Sequence, residues 1–139
     1  MPSSSFQPHP STSDGISILV IEDEVLVRLY MAAHLRRSGF RVHEAGNADE
    51  ALRLLGDDKQ LAAVVTDLKM PGSLDGLELC CWINRARPQL KIIITTAYPD
   101  LGTEIPDGCR YDVVMQKPCD PDAVAQTLRA LCTTKKDGA

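Results

Sequence analysis

The chain has 139 residues, enough for one domain with a sizeable core and little room for a second. Hydrophobic residues make up 44% and charged residues 24%; the formal net charge of −4, without a basic stripe, gives no electrostatic case for nucleic-acid binding. No apolar run reaches about 18 residues, so no membrane span is expected, and the opening "MPSSSFQPHPSTSDG" lacks the basic start and apolar centre of a secretory signal.

In chain order, residues 1–14 are Ser- and Pro-rich and read as a disordered tail with almost nothing to bury. "ISILVI" is a short apolar run with β-branched residues, consistent with a strand buried on both faces. "EVLVRLYMAAHLRRSG" reads as a helix. Val27, Met31 and Leu35 share one side and Gly39 is the stop. "FRVHEA" is a short alternating strand. "NADEALRLLG" is a helix in which Asn47 caps, Glu50 closes a capping box and Gly56 ends the run; Ala48, Ala51, Leu52 and Leu55 form its stripe.

"LAAVVT" is a second wholly apolar strand, ending in Asp67. "DGLELCCWINRARP" is a helix from about Asp75 that stops before Pro88. "KIIITTA" is another apolar strand. "YPDLGTEIPDGC", with two prolines and two glycines, allows a helix of a turn or two at most. "RYDVVMQ" is the last strand. "DPDAVAQTLRALC" opens with Asp120 as cap and Pro121 at the first helical position, and Val124, Leu128 and Leu131 make its stripe. Residues 134–139 read as a frayed tail. The expected organisation is therefore a tail, one domain over 15–133, and a second short tail.

Strands alternating with helices imply an α/β fold: a five-stranded parallel sheet with helices on both faces, a (βα)5 three-layer sandwich. Ligands of such sheets bind beyond the carboxyl ends of the strands, where strand order reverses. Those ends carry Glu22, Asp23 and Glu24 after the first strand, Asp67 after the third, Thr95 and Thr96 after the fourth, and Lys117 after the fifth. "VIEDE" contains no glycine, which excludes a dinucleotide fingerprint or a P-loop there. Carboxylates gathered at one rim repel unless they share a cation, and an all-oxygen donor set suits Mg²⁺. A carboxylate can itself act as a nucleophile and form an acyl phosphate. The five cysteines, Cys80, Cys81, Cys109, Cys119 and Cys132, are odd in number and show no CxxC spacing, so free thiols in a reducing compartment are expected.

"ILVIEDE", "VVTDLKMPGSLDGLEL", "IIITTA" and "QKP", in this order and spacing, resemble the receiver domain of two-component response regulators over about residues 16–132. The resemblance implies a flavodoxin-like fold. It implies Asp67 as the phosphorylated aspartate, and Glu22 and Asp23 as the acidic pair that binds Mg²⁺ with Asp67 and the backbone carbonyl of Lys69. Thr96 is implied as the switch hydroxyl, Lys117 as the lysine that pairs with the phosphoryl group, and the Lys117–Pro118 peptide is expected to be cis. Lys69 and Tyr98 are implied as modulators of acyl-phosphate hydrolysis, with a bulky Tyr98 slowing it. Val114 stands where family members often carry an aromatic switch residue, and "MPGSLDG" is one residue longer than the common form.

The partner implied is a sensor histidine kinase or a histidine phosphotransfer protein. A downstream protein target is implied without being identified, with weak homodimerisation left open and no nucleic-acid or membrane partner. The location implied is cytoplasmic, and the chain is expected to act as a stand-alone receiver, a phosphoacceptor rather than an enzyme on other substrates. Two rival readings remain. A phosphorylation-independent interaction module on the same fold is kept open by Val114. A haloacid-dehalogenase-type phosphatase would need a second acid two residues after Asp67, where Lys69 stands.

Overall fold

The computed structural model describes residues 15–58, 60–70, 72, 74–97 and 108–133. Among the described residues, five strands and four helices follow in the order β1 (Ser17–Ile21), α1 (Val25–Arg37), β2 (Arg41–Ala45), α2 (Ala48–Asp57), β3 (Leu61–Asp67), α3 (Gly76–Ala86), β4 (Lys91–Thr96), β5 (Val113–Gln116) and α4 (Pro121–Thr133). All strand pairs are parallel, in the order β2-β1-β3-β4-β5. This is the flavodoxin-like arrangement expected. The weak helix anticipated between β4 and β5 falls on residues 98–107, outside the described residues, as does Tyr98.

Burial explains the sequence pattern. Every residue of β1 is buried, as is nearly all of β3 and β4, because helices cover both faces of these central strands. One face packs Leu19, Ile21, Val64, Ile92 and Ile94 against Ala51 and Leu55 of α2 and Leu79 and Ile83 of α3. The other packs Ile18, Val20, Val65 and Ile93 against Met31 and Leu35 of α1 and Val124 and Leu128 of α4. The edge strands β2 and β5 are less covered.

Three local expectations need correction. Glu50 does not close a capping box on Asn47: its carboxylate accepts instead from the Gly46 amide, while Asn47 Oδ1 accepts from the Glu50 amide at 2.9 Å. Gly56 does not end α2, which runs to Asp57 and is capped by Asp58. Strand β5 begins only at Val113, because Asp112 turns its carboxylate into the ladder and accepts the Ile92 amide at 2.8 Å. The other helix signals hold: Asp75 makes a full capping box with Glu78, and Gly39 takes φ +104 just past α1.

The reading of five free thiols is also overturned. Cys81 of α3 and Cys109, just before β5, form a disulfide with Cα atoms 4.9 Å apart, leaving Cys80, Cys119 and Cys132 free. The two lie 28 residues apart in sequence, and only the packing of the β5 approach on α3 brings them together.

Candidate phosphoacceptor site

The strand order reverses between β1 and β3, and the crevice at their carboxyl ends holds the acidic residues. Asp67 is the last residue of β3 and is 8% exposed. Its position is fixed on several sides. Its register partner is Thr95 on β4, and the following Leu68 amide donates to the Thr95 carbonyl at 3.0 Å. The Lys69 amide reaches Asp67 Oδ1 at 3.4 Å. Leu68 and Met70 are buried among Leu79, Cys80 and Ile83, so residues 68–70 after Asp67 are pinned by their own apolar side chains. This explains the alternation in "DLKM", where Lys69 points outward.

Glu22 follows β1 and is 5% exposed. Lys117, directly after β5, places Nζ 2.9 Å from Glu22 Oε1 and 3.0 Å from Asp67 Oδ2. The second Glu22 oxygen accepts from the Glu24 amide at 3.1 Å. Asp23 is more open to water, and one oxygen from each of Glu22, Asp23 and Asp67 lies within 4.8 Å of the others. Three carboxylates thus gather at one rim, and the Lys117 ammonium pairs with only two of them, Glu22 and Asp67, leaving an excess of negative charge. All the donors are oxygens, and this set fits a hard divalent cation bound chiefly through Asp23 and Asp67. Both oxygens of Glu22 are already engaged, which suits a role through water better than direct ligation.

Thr96 ends β4 and is buried, and its carbonyl accepts from the Lys117 amide at 2.8 Å, which ties the two strand ends together. The Lys117–Pro118 peptide is cis, as expected. Val114 is partly buried and packs on the cluster formed with α2 and α3, together with Tyr111.

Burial, above all, raises the Glu22 carboxyl above its ordinary 4.5, with the Asp67 charge acting in the same sense and the Lys117 hydrogen bond opposing. Burial works against the Lys117 charge, but hydrogen bonds to Glu22 and Asp67 outweigh it, and its pKa lies above the ordinary 10.5. A carboxyl raised in the folded state lends stability below its unfolded pKa and loses it as pH rises through the folded value. Glu22→Gln lacks this loss. Urea midpoints should therefore show the variant gaining on the natural protein between pH 4.5 and pH 7. A constant difference across that range would exclude a costly buried Glu22 carboxylate.

Three contributors escaped the sequence reading. Arg28, one turn into α1, donates from Nη1 to the Glu22 carbonyl at 2.9 Å and pairs through Nε with Glu44 at 3.3 Å, fixing the backbone of the acidic pair. Its only sequence signal is an arginine one turn past an acidic run. Gly76 opens α3 against Asp67 itself: a Cβ there would lie 2.0 Å from the Asp67 carbonyl oxygen. Finally, Val25, Leu26, Leu29 and Tyr30 are exposed on α1 (Leu26 by 79%), and so is Val27, which the sequence reading had set in one stripe with the buried Met31 and Leu35. Leu26 and Tyr30 line a cavity of about 500 Å³ that Glu22 and Lys117 also line.

The family model of the response regulator receiver domain matches residues 18–129. The response regulator MprA of Mycolicibacterium vanbaalenii is 33% identical over 127 residues, covering 89% of this chain and 54% of the relative. An NtrX-like response regulator of Rickettsia felis is 30% identical over 125 residues, 87% of this chain but 26% of the relative. The chain thus spans about a quarter to a half of the length of these curated relatives. Among solved structures, a receiver domain from Methanospirillum hungatei superposes with a TM-score of 0.80 at 22% identity, covering 89% of this chain and 98% of that one. TrrA from Thermotoga maritima, solved in complex with Mg²⁺ and BeF, superposes with a TM-score of 0.74 at 28% identity, covering 84% and 98%. Sequence motifs, sheet order and family match agree: this chain belongs to the receiver domain family of two-component response regulators.

Proposed function

We propose that Asp67 accepts a phosphoryl group from a phosphohistidine on a histidine kinase or phosphotransfer protein, and that the phosphorylated chain signals by protein contact or passes the group on. The observation that carries this reading is the Lys117 ammonium held between Glu22 and Asp67, with Asp23 beside them. Asp67 attacks phosphorus in line, the P–N bond to the donor imidazole breaks, and its electron pair stays on that nitrogen. Lys117 then turns from the carboxylate to a phosphoryl oxygen, and the Thr96 hydroxyl donates to another. Mg²⁺ would be held by Asp23, Asp67 and the Lys69 carbonyl, with Glu22 behind, and would supply positive charge to offset that of an anionic phosphoryl group approaching a carboxylate. A cytoplasmic location is part of the proposal. So is modulation of acyl-phosphate lifetime by Lys69 and Tyr98.

Incubation with acetyl phosphate and Mg²⁺, followed by intact mass, tests the assignment. One phosphoryl group should appear and should be absent from Asp67→Asn. An unmodified natural chain would favour the phosphorylation-independent interaction module instead. We assign the exposed face of α1 to the phosphodonor protein, because it adjoins the mouth of the site. Leu26→Ala/Leu29→Ala should slow transfer from a phosphorylated partner by roughly tenfold or more, since apolar anchors at a small interface are worth about 1–2 kcal/mol each. The rate with acetyl phosphate should be unchanged; an equal loss with both donors would place the defect in the site rather than the docking face.

A further inference from the structure

Cys81 and Cys109 tie together two parts of the fold that the proposed chemistry uses. Cys81 lies on α3, whose first residue, Gly76, abuts Asp67. Cys109 lies in the connection from Thr96, at the end of β4, to β5, whose far end carries Lys117. We propose that this pair is a reversible thiol–disulfide site, opened by a dithiol reductant, that sets how tightly the approach to β5 is held to α3.

The geometry suits reversible exchange. Both cysteines are half-buried, so a thiolate from outside can reach a sulfur. Cys80, the residue before it on α3, faces the core instead. Burial, aided by Asp112, pushes its thiol up to about 12. A thiol so rarely ionised does not compete for the bridge, so exchange stays confined to the outer pair. The segment keeps other anchors when the bridge opens. The Arg110 amide donates to Asn84 Oδ1, the Arg110 guanidinium to the Pro88 carbonyl, and Cys80 Sγ to the Arg110 carbonyl at 3.9 Å. Reduction therefore loosens the strap without releasing it.

The step balances simply. A reductant thiolate attacks one sulfur, the Cys81–Cys109 bond breaks, and a mixed disulfide forms. The reductant's second thiol displaces it, leaving two cysteine thiols and an oxidised reductant; two electrons and two protons have moved. The consequence for signalling rests on the phosphoacceptor reading, whereas the bridge itself does not.

The test uses the full chain purified without reductant. Native alkylation with iodoacetamide, read by peptide mass, should label Cys119 and Cys132 and leave Cys81 and Cys109 paired. After dithiothreitol, Cys81 and Cys109 should label as well. Amide hydrogen exchange at residues 109–112 should then quicken by about tenfold or more, as expected when a local opening loses a covalent constraint. Cys81→Ser/Cys109→Ser should show the faster rate with or without dithiothreitol. Acetyl phosphate should alter exchange at these amides in the reduced chain and much less in the oxidised one. Labelling of all four outer thiols before reduction, or equal exchange in both redox states, would overturn the proposal. Should Asp67 take no phosphoryl group, only the signalling consequence falls; labelling and exchange without phosphodonor still decide the bridge.

Discussion

Gly76→Ala is expected to destabilise the protein by about 3 kcal/mol or more, at the upper end for an overpacked core position. The cause is space rather than backbone strain. The added Cβ would lie 2.0 Å from the Asp67 carbonyl oxygen, 2.8 Å from the Leu68 carbonyl oxygen and 2.9 Å from Leu68 Cα. All three are backbone atoms, and none can swing aside as a flexible side chain would. The Gly76 amide also donates to the Leu68 carbonyl at 2.9 Å, so moving α3 away breaks a bond as it relieves the clash. The strand end carrying Asp67 must shift instead. Urea denaturation should show the loss, and acetyl-phosphate labelling of the remaining folded fraction should be slowed. A midpoint close to that of the natural chain would mean that α3 can slide without disturbing Asp67.

Lys117→Met is expected to slow phosphorylation of Asp67 by acetyl phosphate roughly 10²–10³-fold, the usual cost of removing one preorganised group that faces developing negative charge. Methionine keeps much of the apolar stem, so the change falls on the ammonium. In the natural chain that ammonium stays charged at neutral pH, with its pKa above 10.5. Without it, the buried Glu22 and Asp67 carboxylates lose the ammonium that pairs with both, and Mg²⁺ should raise the thermal midpoint of the variant more than that of the natural chain. A labelling rate within about threefold of the natural one would remove Lys117 from the mechanism.

Much of this site was legible because a parallel α/β sheet converts sequence position into spatial position. An apolar run that ends in a carboxylate puts that carboxylate at the carboxyl rim, whatever the details of packing. Asp67, Glu22, Asp23 and Lys117 follow from that rule, and the structure brings them within hydrogen-bonding or metal-binding distance. Arg28 was not legible, because an arginine after an acidic run reads equally well as a solvated helix residue. The exposed apolar face of α1 was hidden for a related reason. Val25, Leu26, Leu29 and Tyr30 look like core residues, and α1 carries apolar side chains on more than one side. Gly76 read only as part of the helix that starts near Asp75; its closeness to the Asp67 backbone depends on the angle at which α3 meets the sheet.

The sequence by itself determined the order and type of the described elements, both-face burial of the central strands, and the strand ends at which Glu22, Asp23, Asp67, Thr96 and Lys117 stand. These depend on local periodicity and on turn and cap residues, which act over a few positions. Only the tertiary structure decided which groups touch. Lys117 meets Glu22 across 95 residues of chain, and Cys81 pairs with Cys109 across 28. Neither contact has a periodic signature. Each is set by how strands register in the sheet and how α3 packs beside it, and that depends on the summed burial of the whole core.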